Sequence, residues 1–226
     1  MKVDAVIVAA GASARFGGGN KLLADLCGRP VIAWSVAAFE QVEDVDRIFV
    51  VTGADSLERM TAIGRLAAPT RFAGTILGGA RRRDSVEAGL QASKTRYVAI
   101  HDGARPLVPS GTIAACIAAA EGKPGAIVAV PVTDTIKEVR AHLVIGHPDR
   151  SMLWAAQTPQ VVLRRAWLDA AQAADDDETD DAAMLARFGL EATVMEGDAA
   201  NLKITRPLDL EIAAAVLRSQ GRVPCA

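Results

Sequence analysis

Short runs of apolar and β-branched residues alternate along the chain with longer stretches in which apolar residues recur at helical spacing. The short runs predict strands at residues 3–10, 47–53, 70–77, 97–102, 126–132 and 191–196. The longer stretches predict helices at residues 31–42, 84–93, 109–121, 164–174 and 207–220. Strands that alternate with helices are typical of an α/β fold, in which helices cover both faces of a mostly parallel, twisted sheet.

Residues 136–150 interrupt this alternation. Two short alternating runs follow each other there without a helix, which predicts a β-hairpin that projects from the main sheet. Because two strands cannot bury both of their faces unaided, we expect this arm to contact a second copy of the chain. No linker or internal repeat divides the remaining sequence, so we expect a single domain over residues 1–226.

Composition narrows the class of protein. Hydrophobic residues make up 50 % of the 226 residues, enough for a packed core without disulfides or metals. The chain carries 25 Lys and Arg against 27 Asp and Glu, so its net charge of −2 gives no basic field to attract nucleic acid or an anionic membrane. Cys27, Cys116 and Cys225 are far apart and no run of eighteen apolar residues occurs, which favours a soluble protein of the reducing cytoplasm.

Glycine-rich and charged segments follow nearly every predicted strand. They read GASARFGGGNK at residues 11–21, GGARRRDSV at 78–86, HDGARP at 101–106, PVTDTIK at 131–137 and, around a further short β-run, NLKITRP at 201–207. Ligands of open α/β sheets bind beyond the carboxyl ends of the strands. Glycine lets backbone N–H groups approach phosphate oxygens, and cations neutralise their charge. The sequence therefore predicts a site for a phosphate-bearing ligand such as a nucleoside triphosphate.

Several common chemistries do not fit these segments. Residues 11–21 match neither G-x-x-x-x-G-K-[ST] nor G-x-G-x-x-G, and the chain has no H-E-x-x-H motif or serine nucleophile elbow. Phosphoryl or nucleotidyl transfer needs none of them, because a phosphate monoester is already an anion at neutral pH and attacks without a general base. His101 by itself is better explained as a packing or hydrogen-bonding residue. The acidic run at residues 175–181 is either a metal site or a solvated loop, and we favour the loop.

These motifs, in this order, resemble the 2-C-methyl-D-erythritol 4-phosphate cytidylyltransferases of the non-mevalonate isoprenoid pathway. The resemblance rests on VIVAAGASARF, on Lys21, and on LGGARRRDSVEAGL, IHDGARPLV, VPVTDTIK, LWAAQTPQ, TDDAAML and VMEGDAANLKITRPLDL, which span nearly the whole chain. It implies a Rossmann-like nucleotidyltransferase fold and a homodimer joined through the arm. It also implies Mg²⁺-dependent transfer of the CMP moiety of CTP to 2-C-methyl-D-erythritol 4-phosphate, with release of pyrophosphate.

The resemblance further implies which residues bind CTP. Those that match the loop around the triphosphate are Ala9, Ala10, Gly11, Arg15 and Phe16, and those that match the surroundings of the cytosine and ribose are Gly79, Arg82 and Ser85. Arg15 and Lys21 match the pair of cations that stabilises the α-phosphate in the transition state. Ser13 departs from the pattern, because a second glycine is usual at its position in the loop.

The residues that the resemblance implies for the sugar phosphate are Asp102, Arg105, Thr135, Arg150 and Lys203. Arg150 and Lys203 would orient the attacking phosphate. Since Arg150 lies at the far end of the arm, the resemblance places it in the active site of the neighbouring subunit, where it acts in trans. Asp102 is in addition a candidate Mg²⁺ ligand, with the phosphates of CTP supplying most of the metal's oxygen ligands.

Three other functions remain open. A ribitol 5-phosphate cytidylyltransferase would share the fold and the CTP site, although Ala104 and Lys137 favour methylerythritol phosphate. A non-catalytic nucleotide-binding regulatory module would use the same loops but needs no second anion site. A dinucleotide oxidoreductase has little support, since its glycine fingerprint and its acidic ribose ligand are missing.

Overall fold

The computed structural model describes residues 1–11, 13–173 and 180–224. Within these residues the strands are β1 (Val3–Ala9), β2 (Asp25–Leu26), β3 (Arg29–Pro30), β4 (Val45–Thr52), β5 (Phe72–Leu77), β6 (Tyr97–Asp102), β7 (Gly125–Pro131), β8 (Glu138–Arg140), β9 (Leu143–Gly146), β10 (Trp154–Leu163) and β11 (Thr193–Glu196). The helices are α1 (Val31–Glu40), α2 (Leu57–Ala67), α3 (Arg82–Ala92), α4 (Ser110–Ala120), α5 (Arg164–Ala173), α6 (Asp181–Ala186) and α7 (Pro207–Ser219). The six strands and five helices predicted in the alternating part of the sequence are all present, with ends that differ by a few residues.

Seven of the described strands form one sheet, in the order β11-β7-β10-β6-β1-β4-β5. β1 pairs in parallel with β4 and β6, β4 pairs in parallel with β5, and β11 pairs in parallel with β7. β10 runs antiparallel to both of its neighbours, β6 and β7. The prediction of an α/β fold with a mostly parallel sheet is confirmed.

Five of the elements named above were not predicted: α2, α6, β10 and the two-residue strands β2 and β3. The buried residues of α2 are Met60, Gly64 and Ala67, and their spacing of four and three is typical of a helix, so a signal was present. β10 contains the Thr158-Pro159 pair between polar residues, which interrupts the apolar run that marks a strand. α6 has six residues, too few to show a helical period.

The two faces of the sheet bury different residues of the same strand. Along β1, Val3, Ala5 and Ile7 belong to a core that α1, α4 and α7 cover, whereas Val6 belongs to a second core with α3 and α5. Because successive side chains of a strand point to opposite faces, a strand covered on both sides is apolar at nearly every position. That burial explains the unbroken apolar run at the start of the sequence.

The arm predicted at residues 136–150 is a β-hairpin. β8 and β9 pair antiparallel with each other and lie outside the seven-stranded sheet. Four of its apolar side chains, those of Val139, Leu143, Val144 and Ile145, are between 49 % and 69 % exposed. The hairpin is confirmed, and it leaves an apolar surface uncovered in the single chain.

Two expectations about loops need correction. Most of the acidic run, residues 175–179, lies outside the described residues. At its end Asp180 caps α6, accepting a hydrogen bond from the Ala183 N–H, and Asp181 is 1 % exposed, so a solvated loop is wrong for Asp181. The short β-run expected within residues 201–207 makes no strand pairing.

Two observations bear on the environment of the chain. Cys27 and Cys116 are free thiols, and Cys225 lies outside the described residues. None of the helices within residues 1–11, 13–173 and 180–224 combines the length and the apolar character that crossing a bilayer requires.

Candidate active site

Segments that follow β1, β5 and β6 meet at the carboxyl edge of the sheet and line a cleft of about 430 Å³. From β1 the chain continues through Ala10 and Gly11, and β6 ends at Asp102. Lys203 and Thr205, from the segment before α7, also line the cleft. The cleft therefore lies at the edge of the sheet where the sequence predicts a ligand.

The glycine-rich loop uses backbone conformations that glycine favours. Gly17, Gly18 and Gly19 all have positive φ angles, which glycine adopts without a steric penalty. Ser13, at the position where a glycine is usual, has a φ of 53°, so it adopts the left-handed conformation that a glycine would take. Lys21 then begins a short helical turn, which Asn20 caps by accepting a hydrogen bond from the backbone of this turn.

The loops after β1 and β5 approach each other so closely that a residue larger than glycine would not fit at position 78. A Cβ atom on Gly78 would lie 2.7 Å from the Ala10 Cβ and 2.7 Å from the Ser85 Oγ. The Ser85 hydroxyl in turn accepts a hydrogen bond from the Gly79 N–H at 3.2 Å. These contacts fix a tight turn beside the cleft, at the start of α3.

Asp102 supplies the one carboxylate among the described residues that line the cleft. Its Oδ2 lies 2.7 Å from the Lys203 Nζ and 3.9 Å from the Arg105 Nε, and its Oδ1 lies 3.7 Å from the Arg82 Nε. Burial by itself raises the pKa of this carboxyl, but the charges of Lys203 and Arg82 outweigh burial and lower the pKa to about 2. Asp102 is therefore ionised at neutral pH, with three cationic side chains around it.

Lys21 is held at the side of the cleft nearest Lys203. Its Nζ donates a hydrogen bond of 2.7 Å to the Ile204 carbonyl. Burial lowers the pKa of the Lys21 ammonium, and the nearby charges of Lys203 and Arg15 lower it further. Because these like charges repel one another, an anion that enters the cleft would stabilise all of them.

Arg82, the first residue of α3, is held by a carboxylate from a distant part of the chain. Its two terminal nitrogens lie 2.7 and 3.2 Å from the two carboxylate oxygens of Asp181. Burial lowers the pKa of the Arg82 guanidinium, but the Asp181 charge outweighs burial and raises the pKa above its usual range. The Trp167 indole N–H donates a further hydrogen bond to Asp181. This bidentate pairing leaves the Nε of Arg82 on the side of Asp102.

Arg105 ties the segment after β6 to two other parts of the chain. Its guanidinium donates hydrogen bonds to the carbonyl of Asn201 at 2.7 Å and to the carbonyl of Ala156 at 3.3 Å. Burial lowers the pKa of this guanidinium. Arg105 is not among the lining residues of the cleft; it lies beside Asp102 and joins the segments that contain Ala156 and Asn201.

The sequence and the overall fold are similar to those of known proteins. The family model described as 2-C-methyl-D-erythritol 4-phosphate cytidylyltransferase matches residues 3–219. The chain belongs to this family. A relative of that name from Symbiobacterium thermophilum is 40 % identical, with 97 % of this chain and 94 % of the relative covered. Another from Prochlorococcus marinus is 41 % identical, with 94 % and 96 % covered.

Solved structures of the cytidylyltransferase family share the fold. A 4-diphosphocytidyl-2C-methyl-D-erythritol synthase from Anaerococcus prevotii superposes with a TM-score of 0.85 at 25 % identity, and the match covers 96 % of this chain and 98 % of that one. The cytidylyltransferase from Thermus thermophilus superposes with a TM-score of 0.76 at 30 % identity, covering 96 % and 100 %. The Rossmann-like nucleotidyltransferase fold and the class of reaction, a nucleotidyl transfer with CTP as co-substrate, are confirmed.

Most residues that the resemblance to the cytidylyltransferases singled out come together in the cleft: Ala9, Ala10, Gly11, Arg15, Lys21, Gly79, Arg82, Ser85, Asp102 and Lys203. Phe16 is not among the lining residues, because its ring packs against the core. Arg105, Thr135 and Arg150 are also not among the lining residues of the cleft of their own chain. Arg150 begins a short turn after β9 and donates a hydrogen bond of 2.6 Å to the Thr133 carbonyl.

Several residues of the cytidylyltransferase cleft were not predicted from the sequence. Ser13, Arg81 and Thr205 line it, and all three stand in motifs that were already singled out for their charge or glycine content. Asp181 was missed as the partner of Arg82, since the two residues are 99 positions apart and nothing local to either points to the other.

Proposed function

We propose that the phosphate of 2-C-methyl-D-erythritol 4-phosphate attacks the α-phosphorus of CTP within this cleft, in line with the leaving group. A bond forms between an oxygen of the attacking phosphate and the α-phosphorus, while the bond from the α-phosphorus to the bridging oxygen breaks. The products are 4-diphosphocytidyl-2-C-methyl-D-erythritol and pyrophosphate. The attacking phosphate has a second pKa of about 6, so it is an anion at neutral pH and no side chain has to accept a proton.

The gathering of Lys21, Lys203 and Arg82 in one cleft is the observation that carries this proposal. Negative charge on the transferred phosphoryl group must be offset in the transition state, and fixed cations do this without reorganising. Lys21 and Arg15 are the cations assigned to the α-phosphate. The lowered pKa of Lys21 fits that role, because repulsion from neighbouring cations is relieved when the triphosphate binds.

The two substrates are assigned to opposite sides of the cleft. CTP takes the side formed by the loops after β1 and β5, where the tight turn at Gly78 and Gly79 favours a pyrimidine over a larger purine. The sugar phosphate takes the side of Asp102, Arg105 and Lys203. The ion pair of 2.7 Å between Lys203 and Asp102 holds the lysine in place to orient the attacking phosphate.

The described residues of this cleft offer a magnesium ion one carboxylate, that of Asp102. Mg²⁺ is usually held by one or two carboxylates together with substrate phosphates. Asp102 is ionised and is the single carboxylate among the described lining residues, so it would contribute one ligand beside the oxygens of CTP. When bound, Mg²⁺ would neutralise charge on the triphosphate.

The arm supports a homodimer in which Arg150 acts in trans. Its exposed apolar residues, Val139, Leu143, Val144 and Ile145, need a cover, and a second copy of the chain supplies one through a twofold contact. Arg150 lies outside its own cleft, which suits delivery to the partner's cleft together with Thr135. The free thiols of Cys27 and Cys116 suit a reducing compartment, and we propose that this single-domain enzyme works in the cytoplasm.

The experiment that tests the proposal measures pyrophosphate release with CTP and Mg²⁺. 2-C-Methyl-D-erythritol 4-phosphate and ribitol 5-phosphate are offered in parallel, with ATP, GTP and UTP as nucleotide controls. We expect turnover only with CTP and the methylerythritol phosphate. We also expect Lys21→Ala to lower kcat by about 100-fold or more, because it removes a charge that acts in the transition state.

Lys123→Ala is the matched control for this variant. Lys123 is exposed in the turn before β7, at the opposite edge of the sheet, so its loss should leave kcat unchanged. Turnover only with ribitol 5-phosphate would replace the proposed substrate and keep the CTP site. Tight CTP binding with no turnover on any sugar phosphate would favour the regulatory module. A normal kcat in Lys21→Ala would remove Lys21 from the mechanism.

A further inference from the structure

His101 is a buried polar residue of β6 that the proposed mechanism does not use. Its side chain is fully buried, and its ring packs beside the Phe39 ring with centroids 5.1 Å apart. It precedes Asp102 directly in the chain. Both ring nitrogens are nevertheless engaged, with the Thr158 Oγ1 at 2.9 Å from Nδ1 and the Arg105 carbonyl oxygen at 3.2 Å from Nε2.

Thr158 reaches this position because the sheet is irregular there. β10 pairs with β6 at Gln160 opposite Ile100, and its pairing with β7 is displaced between Ala156 and Gln160. Beyond that point, the backbone of β10 no longer serves as the partner of β6. The Asp102 N–H is satisfied by the Thr158 hydroxyl instead, at 3.1 Å.

The direction of each hydrogen bond in this group follows from chemistry. The Arg105 carbonyl can only accept, so the Nε2 of His101 carries the hydrogen and donates this hydrogen bond. Nδ1 of the neutral ring then accepts a hydrogen bond from the Thr158 hydroxyl. The same hydroxyl oxygen accepts from the Asp102 N–H. Full burial of the ring favours its neutral form, which keeps this arrangement intact.

Together the two side chains hold both ends of the turn from Asp102 to Arg105. The Asp102 N–H is held by Thr158, the Arg105 carbonyl is held by His101, and the Arg105 N–H closes the turn on the Asp102 carbonyl at 2.9 Å. The Thr158 carbonyl also accepts a hydrogen bond of 3.0 Å from Asn201, whose own carbonyl binds the Arg105 guanidinium.

We propose that His101 and Thr158 are positioning residues that fix Asp102 and Arg105 for the sugar phosphate. The inference rests on the proposed function, in which Asp102 and Arg105 contact that substrate. Neither His101 nor Thr158 lines the cleft, so both act through the turn they hold. The CTP side of the cleft is formed mainly by the loops after β1 and β5, and it meets this network at Asp102, whose Oδ1 lies 3.7 Å from the Arg82 Nε. A defect in the network should therefore weaken binding of the sugar phosphate more than binding of CTP.

Thr158→Val tests this, with Thr158→Ser as its matched control. Valine keeps the shape but leaves the Asp102 N–H without an acceptor and Nδ1 of His101 without a donor, whereas serine keeps the hydroxyl. Leaving a buried polar group without its hydrogen-bond partner changes an equilibrium constant by about tenfold or more. In Thr158→Val we expect KM for 2-C-methyl-D-erythritol 4-phosphate to rise about tenfold and KM for CTP to stay within about twofold of the wild-type value. In Thr158→Ser we expect both KM values to match the wild type.

A second readout does not depend on activity. The chain has three histidines, so ¹⁵N imidazole spectra are simple, and His101→Gln identifies the His101 signals. In the wild type we expect His101 to be the neutral Nε2–H tautomer. In Thr158→Val we expect His101 no longer to favour this tautomer over the Nδ1–H form. If the wild type shows this tautomer but does not turn over the sugar phosphate, the proposed function fails and the hydrogen-bond network stands. A protonated Nδ1 in the wild type, or equal rises in both KM values in Thr158→Val, would overturn the inference.

Discussion

Replacing Asp102 with asparagine tests how strongly the three surrounding cations stabilise one carboxylate. In the folded chain, Lys203 and Arg82 hold the Asp102 pKa at about 2, against 3.8 for an unperturbed aspartate. In the unfolded chain the carboxyl returns to its ordinary pKa. As the pH falls, the unfolded chain therefore takes up a proton before the folded chain does. That uptake favours unfolding, so the stabilisation is present above about pH 5 and is lost towards pH 2.

The magnitude follows from the difference between the two pKa values. At pH 7 it corresponds to roughly 2–3 kcal/mol of folding stability, of which about half remains at pH 3. Asp102→Asn removes this pH-dependent part altogether. Costs of the substitution that do not involve the carboxylate charge are present at both pH values. We therefore expect the stability gap between the wild type and Asp102→Asn to be about 1 kcal/mol smaller at pH 3 than at pH 7.

Urea unfolding of the ligand-free protein at pH 7 and pH 3 measures this gap. Asp169→Asn, on an exposed part of α5, shows the effect of removing a surface carboxylate under the same conditions. The wild type and Asp102→Asn must unfold with equal m values for the free energies to be compared. A gap of the same size at both pH values would refute the reasoning, since it would mean that the cations do not stabilise the ionised form of Asp102.

Two further predictions concern the arm and the start of α3. Mixing Arg150→Ala with Lys21→Ala subunits should restore about a quarter of wild-type activity if Arg150 acts in trans. Random exchange makes about half of the dimers mixed, and each mixed dimer has one intact site out of two. No recovery despite confirmed exchange would place Arg150 in its own subunit's site. Arg82→Met should lower the free energy of unfolding in urea by about 3–5 kcal/mol, because it leaves the Asp181 carboxylate buried without its cation. A loss below about 1 kcal/mol would show that this pairing adds little.

Local pattern was enough to predict the layers of this protein. Strands such as β1 are apolar along their whole length because both faces of the sheet are covered, and that burial is visible in the sequence itself. The glycines and cations of residues 11–21 and 78–86 follow strands, so the edge of the sheet that carries the cleft could also be predicted. Family resemblance then supplied roles for individual residues, most of which meet in that cleft.

Only the tertiary structure decided which distant residues become partners. Arg82 binds Asp181 across 99 positions, and Thr158 reaches His101 because an irregularity in β10 turns its hydroxyl towards β6. Phe16 stands in the loop motif, yet its ring joins the core. The spacing of apolar residues along the sequence indicates which face of each strand or helix is buried. The pairing of polar groups between elements depends on register and packing across the whole fold, which no local pattern contains.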